Sequence, residues 1–242
     1  MSGETPEEGP SRGMMTNSLR KCFLGCFLLF FIGAAGLRGQ FRDFQSWWQL
    51  ELNKKITGRL DLNSELEQRF QNNSLQYERS QMTFGASYDL LDYLKLDGAA
   101  RLALVMDGEH QIQTRYRFHL DATGGYDIWG FDLSLRLRIQ YGFEDFSALN
   151  YFSVNAVVER NKLKVQRHIY GTRIDLFASF ESFHGSTGRS QWRTYAFRYS
   201  AGARYLLNFR SRFSLQYSLD DEMNVPAPQL LSILALGYSY DF

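Results

Sequence analysis

The chain has 242 residues, room for one sizeable domain or two small ones, with 44% hydrophobic, 22% charged and 16% aromatic residues and a formal net charge of +1. So many aromatics exclude a disordered chain, and the even charge balance, without a block of like charge, gives no footprint for nucleic acid. Both cysteines, Cys22 and Cys26, fall in the first forty residues, which leaves the rest without a disulfide framework or a thiolate metal site.

The first element is a leader. Leu19-Arg20-Lys21 is followed by an almost unbroken apolar run from Cys22 to Ile32, then Gly33-Ala34-Ala35-Gly36. A basic start, an apolar core and a small-residue end predict a secretory signal, with cleavage after Ala35, Gly36 or Gln40. The core is too short for a membrane-spanning helix, which needs about 20 residues. Phe23-Leu24-Gly25-Cys26 has a faint likeness to a lipoprotein box, but apolar sequence continues where an exposed mature chain should begin. The polar stretch ahead of it carries Glu4, Glu7 and Glu8. It is a long n-region, or the true start is Met14 or Met15. Residues 1–40 are therefore expected to be removed, leaving 41–242 as one domain.

From Ser46 onward the period is two, and no helical period competes with it. The predicted strands are 46–55, 58–70, 80–90, 94–105, 111–124, 130–144, 151–158, 161–168, 174–185, 191–206, 210–220 and 230–242. The sixth is the plainest: Phe131, Leu133, Leu135, Leu137, Ile139 and Tyr141 alternate with Asp132, Ser134, Arg136, Arg138 and Gln140. Such a strand presents two chemistries on two faces. At Glu159-Arg160-Asn161 the phase breaks. Val154, Ala156 and Val158 are even, whereas Leu163 and Val165 are odd, so a turn or a bulge belongs there. The count is ten to twelve.

A soluble sandwich and a membrane barrel both alternate. Several of these runs reach membrane length, about 9–11 residues across the hydrocarbon, whereas soluble strands peak at about 5–6. Trp47, Trp48, Phe70, Tyr126, Trp129, Tyr141, Phe143, Tyr151, Trp192 and Tyr205 crowd strand ends, as aromatic girdles do. Lipid allows only helices or closed barrels to span it. The fold class expected is all-β, a transmembrane antiparallel up-and-down β-barrel of 10–12 strands. The connections at 54–57, 91–93, 125–129, 170–173 and 207–209 are short and should be periplasmic, with the longer ones outside.

Family likeness adds to this. Arg160-Asn161-Lys162-Leu163-Lys164-Val165, Leu176-Phe177-Ala178-Ser179-Phe180-Glu181-Ser182-Phe183 and Arg198-Tyr199-Ser200-Ala201-Gly202 resemble segments of domain-of-unknown-function family 2490, as do Trp47 with Leu50 and the ending Leu236-Gly237-Tyr238-Ser239-Tyr240. The resemblance covers about residues 44–242. It implies a bacterial outer-membrane barrel and carries no agreed activity. Tyr238, Tyr240 and Phe242 also resemble the closing-strand signal read by the outer-membrane assembly machinery.

The polar face predicts a charged lumen: Asp61, Glu65, Glu67, Asp97, Arg101, Arg115, Arg117, His119, Asp121, Asp132, Arg136, Arg138, Glu181, Arg198, Arg204 and Arg212. Paired across strands, these groups make a largely filled, structural interior. Unpaired, the arginines line a narrow channel for small, anionic solutes. A third reading is a lipid esterase or deacylase on His184 and Ser186, which share a face near the outer rim. The next strand, 191–206, holds no Asp, Glu or Asn to orient His184, and Gly185-Ser186-Thr187-Gly188 is also ordinary turn chemistry. No metal-ligand spacing or cofactor motif appears, and Asp220-Asp221-Glu222 reads as a solvated loop. The partners expected are outer-membrane lipid and lipopolysaccharide and the assembly machinery, with no nucleic acid; oligomeric state stays open. A soluble periplasmic lipid binder is the competing class, and would extract without detergent.

Overall fold

The two-residue period builds a wall. The computed structural model describes residues 41–106, 111–144, 156–187, 192–225 and 228–242. Among them are eleven strands: β1 (Phe41–Lys55), β2 (Leu60–Gln71), β3 (Gln76–Leu91), β4 (Leu94–Met106), β5 (Ile112–Ile128), β6 (Phe131–Glu144), β7 (Ala156–His168), β8 (Ile174–Thr187), β9 (Arg193–Leu206), β10 (Ser211–Glu222) and β11 (Gln229–Asp241). They close into one barrel in chain order, and no helix occurs among the described residues. Ten junctions are antiparallel. The up-and-down order is as expected, and the closing seam alone is not antiparallel: β1 and β11 pair in parallel from Phe41↔Gln229 to Asn53↔Asp241. An odd strand number forces this: β1 starts at one rim and β11 ends at the other.

The phase break resolves as one strand. Residues 151–155 lie outside those described, but β7 pairs without a register shift from Ala156↔Thr187 to His168↔Asp175. The break is neither a turn nor a bulge. Val158 shares the inner face with Arg160, Lys162 and Lys164. Glu159 and Asn161 share the outer face, where the Asn161 amide donates to Glu159 Oε1 at 2.9 Å. An inward valine and an outward polar pair break the pattern without breaking the strand.

The two rims differ. At the β11-terminal rim the turns are tight. Trp129 and Gly130 both adopt positive φ, 55° and 75°, the two-residue turn that matches hairpin twist. Asn208 Oδ1 accepts from the backbone N–H of Arg210 and Ser211, both at 2.8 Å. At the other rim the predicted loop 71–79 shrinks to Asn72–Leu75. Asp43 of β1 accepts from the N–H of Asn72 and Asn73 at 3.2 and 3.0 Å, and so fastens this turn to the seam strand.

The outer face is apolar and bare. Leu62, Phe84, Leu102, Leu120, Leu135, Ile139, Leu163 and Leu215 are all exposed. A wall of exposed leucine on this scale marks a surface that meets lipid or a partner rather than water. Trp47 does not join the aromatics there, although Trp48 does. Its indole turns inward, 6% exposed, beside buried Ile233 and Ala235 of β11, and its Nε1 donates to Gln45 Oε1 at 3.1 Å.

Candidate functional site

The inner face carries the chemistry, and its charges are mostly spent on one another. Arg138 grips Asp121 with two hydrogen bonds, 2.7 and 2.5 Å. Arg198 grips Asp220 likewise, at 2.6 and 2.5 Å. Arg212 donates to both oxygens of Asp241 at 2.7 and 2.6 Å, and to Ser239 Oγ at 3.1 Å. Two-point guanidinium–carboxylate contacts such as those of Arg138 and Arg198 are among the strongest polar contacts and fix orientation as well as charge. Glu181 accepts from Arg136 at 2.7 Å and from Arg160 at 3.0 Å. Glu67 takes Arg69 at 2.5 Å, Gln49 at 2.5 Å and Gln81. Looser pairs join Arg101 to Glu65 at 3.8 Å and Lys95 to Asp61 at 3.6 Å, while Asp97 accepts from Ser87. Asp132 and Arg204 lie nearer the tight-turn rim, the second in a recess with Arg212 and Glu51. Arg115 shares the face of Arg117, His119 and Asp121 on β5.

Cations and rings form a ladder across the interior. Arg69 lies 3.5 Å from the Trp47 ring centroid, and Arg198 stands over the same indole at 5.0 Å. Arg198 is also 5.3 Å from the Phe183 ring, and Arg160 is 4.6 Å from it. The order Arg69–Trp47–Arg198–Phe183–Arg160 runs from β2 to β7. Ser200 of β9, Ser218 of β10 and Ile233 of β11 are almost wholly buried. Guanidinium groups stack on aromatic faces at little desolvation cost, which suits arginine rather than lysine at each rung.

The ladder and its ion pairs occupy part of the lumen. A cavity of about 810 Å³ remains inside the barrel, lined by side chains of β1 to β10, those of the ladder among them.

Several members of this network were not visible in the sequence pattern. Asp220 is a buried partner of Arg198 rather than part of a solvated acidic loop. Its signal was register, since Asp220 stands directly opposite Arg198. Arg69 continues the odd series of Glu65 and Glu67. Arg160, Lys162 and Lys164 fall on the inner face once β7 is continuous. Trp47 and Phe183 had no polar signature.

His184 sits on the outer side of β8, one step past an irregularity in the β8–β9 register. Its Nε2 is 2.9 Å from Ser182 Oγ, and its Nδ1 is 2.8 Å from Thr194 Oγ1. Ser186 pairs through its backbone with Val157, and its side chain lies outside the described residues. The group orienting the histidine is therefore a neutral hydroxyl, which does not stabilise an imidazolium as a carboxylate does. No cluster of three or more metal-ligating side chains occurs among the described residues.

The model of a family described as "Protein of unknown function (DUF2490)" matches residues 44–223. No curated protein matches the chain. Among solved structures, the barrel is similar to the beta domain of the Bordetella autotransporter BrkA, with a TM-score of 0.52 and 11% identity, covering 78% of this chain and 86% of that one. The translocator domain of the autotransporter NalP from Neisseria meningitidis aligns at TM-score 0.42 and 15% identity over 85% of this chain and 91% of that one. LpxR from Salmonella typhimurium aligns at 0.46 and 9% over 78% and 84%. Identities this low speak to fold alone, and only the first alignment is close enough to carry that.

Proposed function

The chain belongs to the DUF2490 family, and from its barrel we propose an integral outer-membrane protein with a structural, non-enzymatic role and a largely filled lumen. In this reading residues 1–40 direct export and are removed, residues 41–242 form the barrel, and Tyr238, Tyr240 and Phe242 engage the assembly machinery. The bare leucine wall supports contact with outer-membrane lipid and lipopolysaccharide.

One observation carries the filled-lumen reading. Several inner charges are hidden, with side-chain exposures of 2% for Glu181, 4% for Asp121 and 11% for Arg101, while Glu65 at 34% and Lys95 at 39% stay wetter. Side chains lining an open aqueous channel remain wet, whereas the first three are as dry as a protein interior and are matched as buried charges must be. The channel reading draws on the cavity instead, and the two separate in one experiment. Single-channel recording of the refolded chain in planar bilayers, after heat-modifiable migration confirms folding, is expected to show no discrete openings. Steady openings with anion preference would replace this reading by the channel.

The esterase reading on His184 and Ser186 gains a second candidate hydroxyl in Ser182, which stands within hydrogen-bond reach of His184. A neutral Thr194 in the orienting position argues against it. Fluorophosphonate labelling of the folded barrel is expected to leave Ser182 unmodified, and stoichiometric labelling lost in His184→Ala would reverse that expectation.

A further inference from the structure

We propose that the lumen cavity binds a compact multivalent oxyanion of the phosphate type. The proposal rests on the filled-lumen reading in one respect: the anion is held there and does not pass through.

Charge balance comes first. Ten lysines and arginines line the cavity against six carboxylates. Asp220, from outside that lining, neutralises Arg198, and a surplus of cations remains. The surplus is located. Arg117 of β5 and Lys162 of β7 form no hydrogen bond or ion pair with any described residue. Arg160 is within electrostatic range of both. Its own counter-ion, Glu181, is already shared with Arg136. Three cations thus face one cavity with a single carboxylate between them and Arg136.

Unsatisfied polar atoms point to the same place. Gln140 of β6 is 3% exposed and its Nε2 donor has no partner. His119 is 7% exposed and its Nδ1 has none either. The two stand opposite each other in the β5–β6 register, and both line the cavity. A buried donor left unmade costs more than a typical hydrogen bond contributes, so such groups call for a ligand. Guanidinium, ammonium, amide and imidazole N–H all donate, and the unused set holds no carboxylate that would repel an anion. A group with several equivalent acceptor oxygens and more than one negative charge satisfies these donors and cancels the surplus together. A halide offers neither the charge nor the separate acceptors. Inorganic phosphate and a soluble phosphate monoester share the required chemistry.

Calorimetric titration of the folded barrel in detergent tests this, with inorganic phosphate in one arm and glucose 6-phosphate in another. Saturable one-to-one binding is expected, weakened at least tenfold in Arg117→Gln with Lys162→Gln, and unchanged in Lys54→Gln at the exposed rim. Saturation by phosphate alone assigns a free anion, and saturation by both assigns the phosphoryl group whatever carries it. Absence of saturation, equal affinity in the double variant, or displacement by equimolar chloride would overturn the site. If the double variant does not migrate as a folded barrel, Gln140→Leu removes a donor without altering charge, and a loss of several-fold is expected; undiminished affinity there would overturn the site equally. Conductance from the same preparation keeps the two readings apart. Openings blocked by phosphate would retire the filled lumen and keep the site, whereas a silent barrel that fails to bind would retire the site alone.

Discussion

Replacing Glu181 by glutamine removes one charge and almost no volume, and its consequence can be worked from the contacts. Glu181 is 2% exposed and accepts from Arg136 at 2.7 Å and Arg160 at 3.0 Å. Lys162 stands directly opposite it on β7. Both arginines donate to Glu181 Oε1, so in Glu181→Gln an amide oxygen in that place still accepts from them, but it carries no charge and the neighbouring cations lose their shared counter-charge. Asp121 compensates little, since it is 4.0 Å from Arg136 and already saturated by Arg138. Hydrogen bonds to charged groups contribute about 1.5–3 kcal/mol each. Removing one partner of a buried ion pair costs about 3–5 kcal/mol, because the remaining charge is stranded. The two arginines are 22% and 13% exposed, so some solvent reaches them and the lower end, about 3 kcal/mol, is expected. The assay is urea unfolding of the barrel in lipid vesicles, followed by loss of heat-modifiable migration. The double variant Glu181→Gln with Arg160→Gln should recover part of the loss, since it removes a stranded cation. A single-variant loss under about 1 kcal/mol, the range of an exposed pair, would refute the dry-lumen argument.

Other perturbations test other parts of the wall. Leu135→Arg, on the bare outer face, should cost about 2–4 kcal/mol if it sits near the bilayer midplane, by the same unfolding assay; an unchanged midpoint would mean that the face does not meet lipid. Gly202→Ala would drive a methyl group into Leu215 O and the Phe177 ring, with Gln216 Cα at 3.0 Å, and should cost about 1–3 kcal/mol. An unchanged urea midpoint in Gly202→Ala would show that β9 and β10 have room to shift. Deleting Phe242 removes the N–H that donates to Asn53 O at 2.9 Å and the ring packed on Tyr240, and should lower the yield of assembled barrel in cells. Normal yield would mean that the assembly machinery reads something else.

The wall was legible because its physics is local. Side chains two apart share a face, so the run from Phe131 to Tyr141 announces both its strand and its two environments. What stayed illegible depends on partners far along the chain. Asp220 looks like part of a solvated acidic triplet until register sets it against Arg198. Trp47 and Trp48 are adjacent and identical, and only the phase of β1 decides that one stacks between arginines while the other faces out. The break at Glu159–Asn161 misled for a related reason. A strand tolerates a valine inside and a polar pair outside when neighbours satisfy them, and sequence periodicity cannot see the neighbours. The unpartnered Arg117 and Lys162 were equally invisible, since being unpaired is a property of the whole ring.

The parallel seam also governs the order in which the barrel can close. Each antiparallel junction joins strands adjacent in sequence, and the described turns between them are a few residues long. The seam joins Asn53 to Asp241, 188 positions apart, through a side-chain hydrogen bond of 3.1 Å. Loop-closure entropy grows with the logarithm of length, so this contact costs roughly 3 kcal/mol more in chain entropy than a four-residue turn. Contacts so remote pair last, after the intervening chain has been shortened by its own hairpins. Asp43 and Trp47 then act as a latch: the first holds the β2–β3 turn to β1, the second offers β11 a ready apolar surface. A curved sheet with β1 already fastened along one edge needs only to roll until β11 finds that surface.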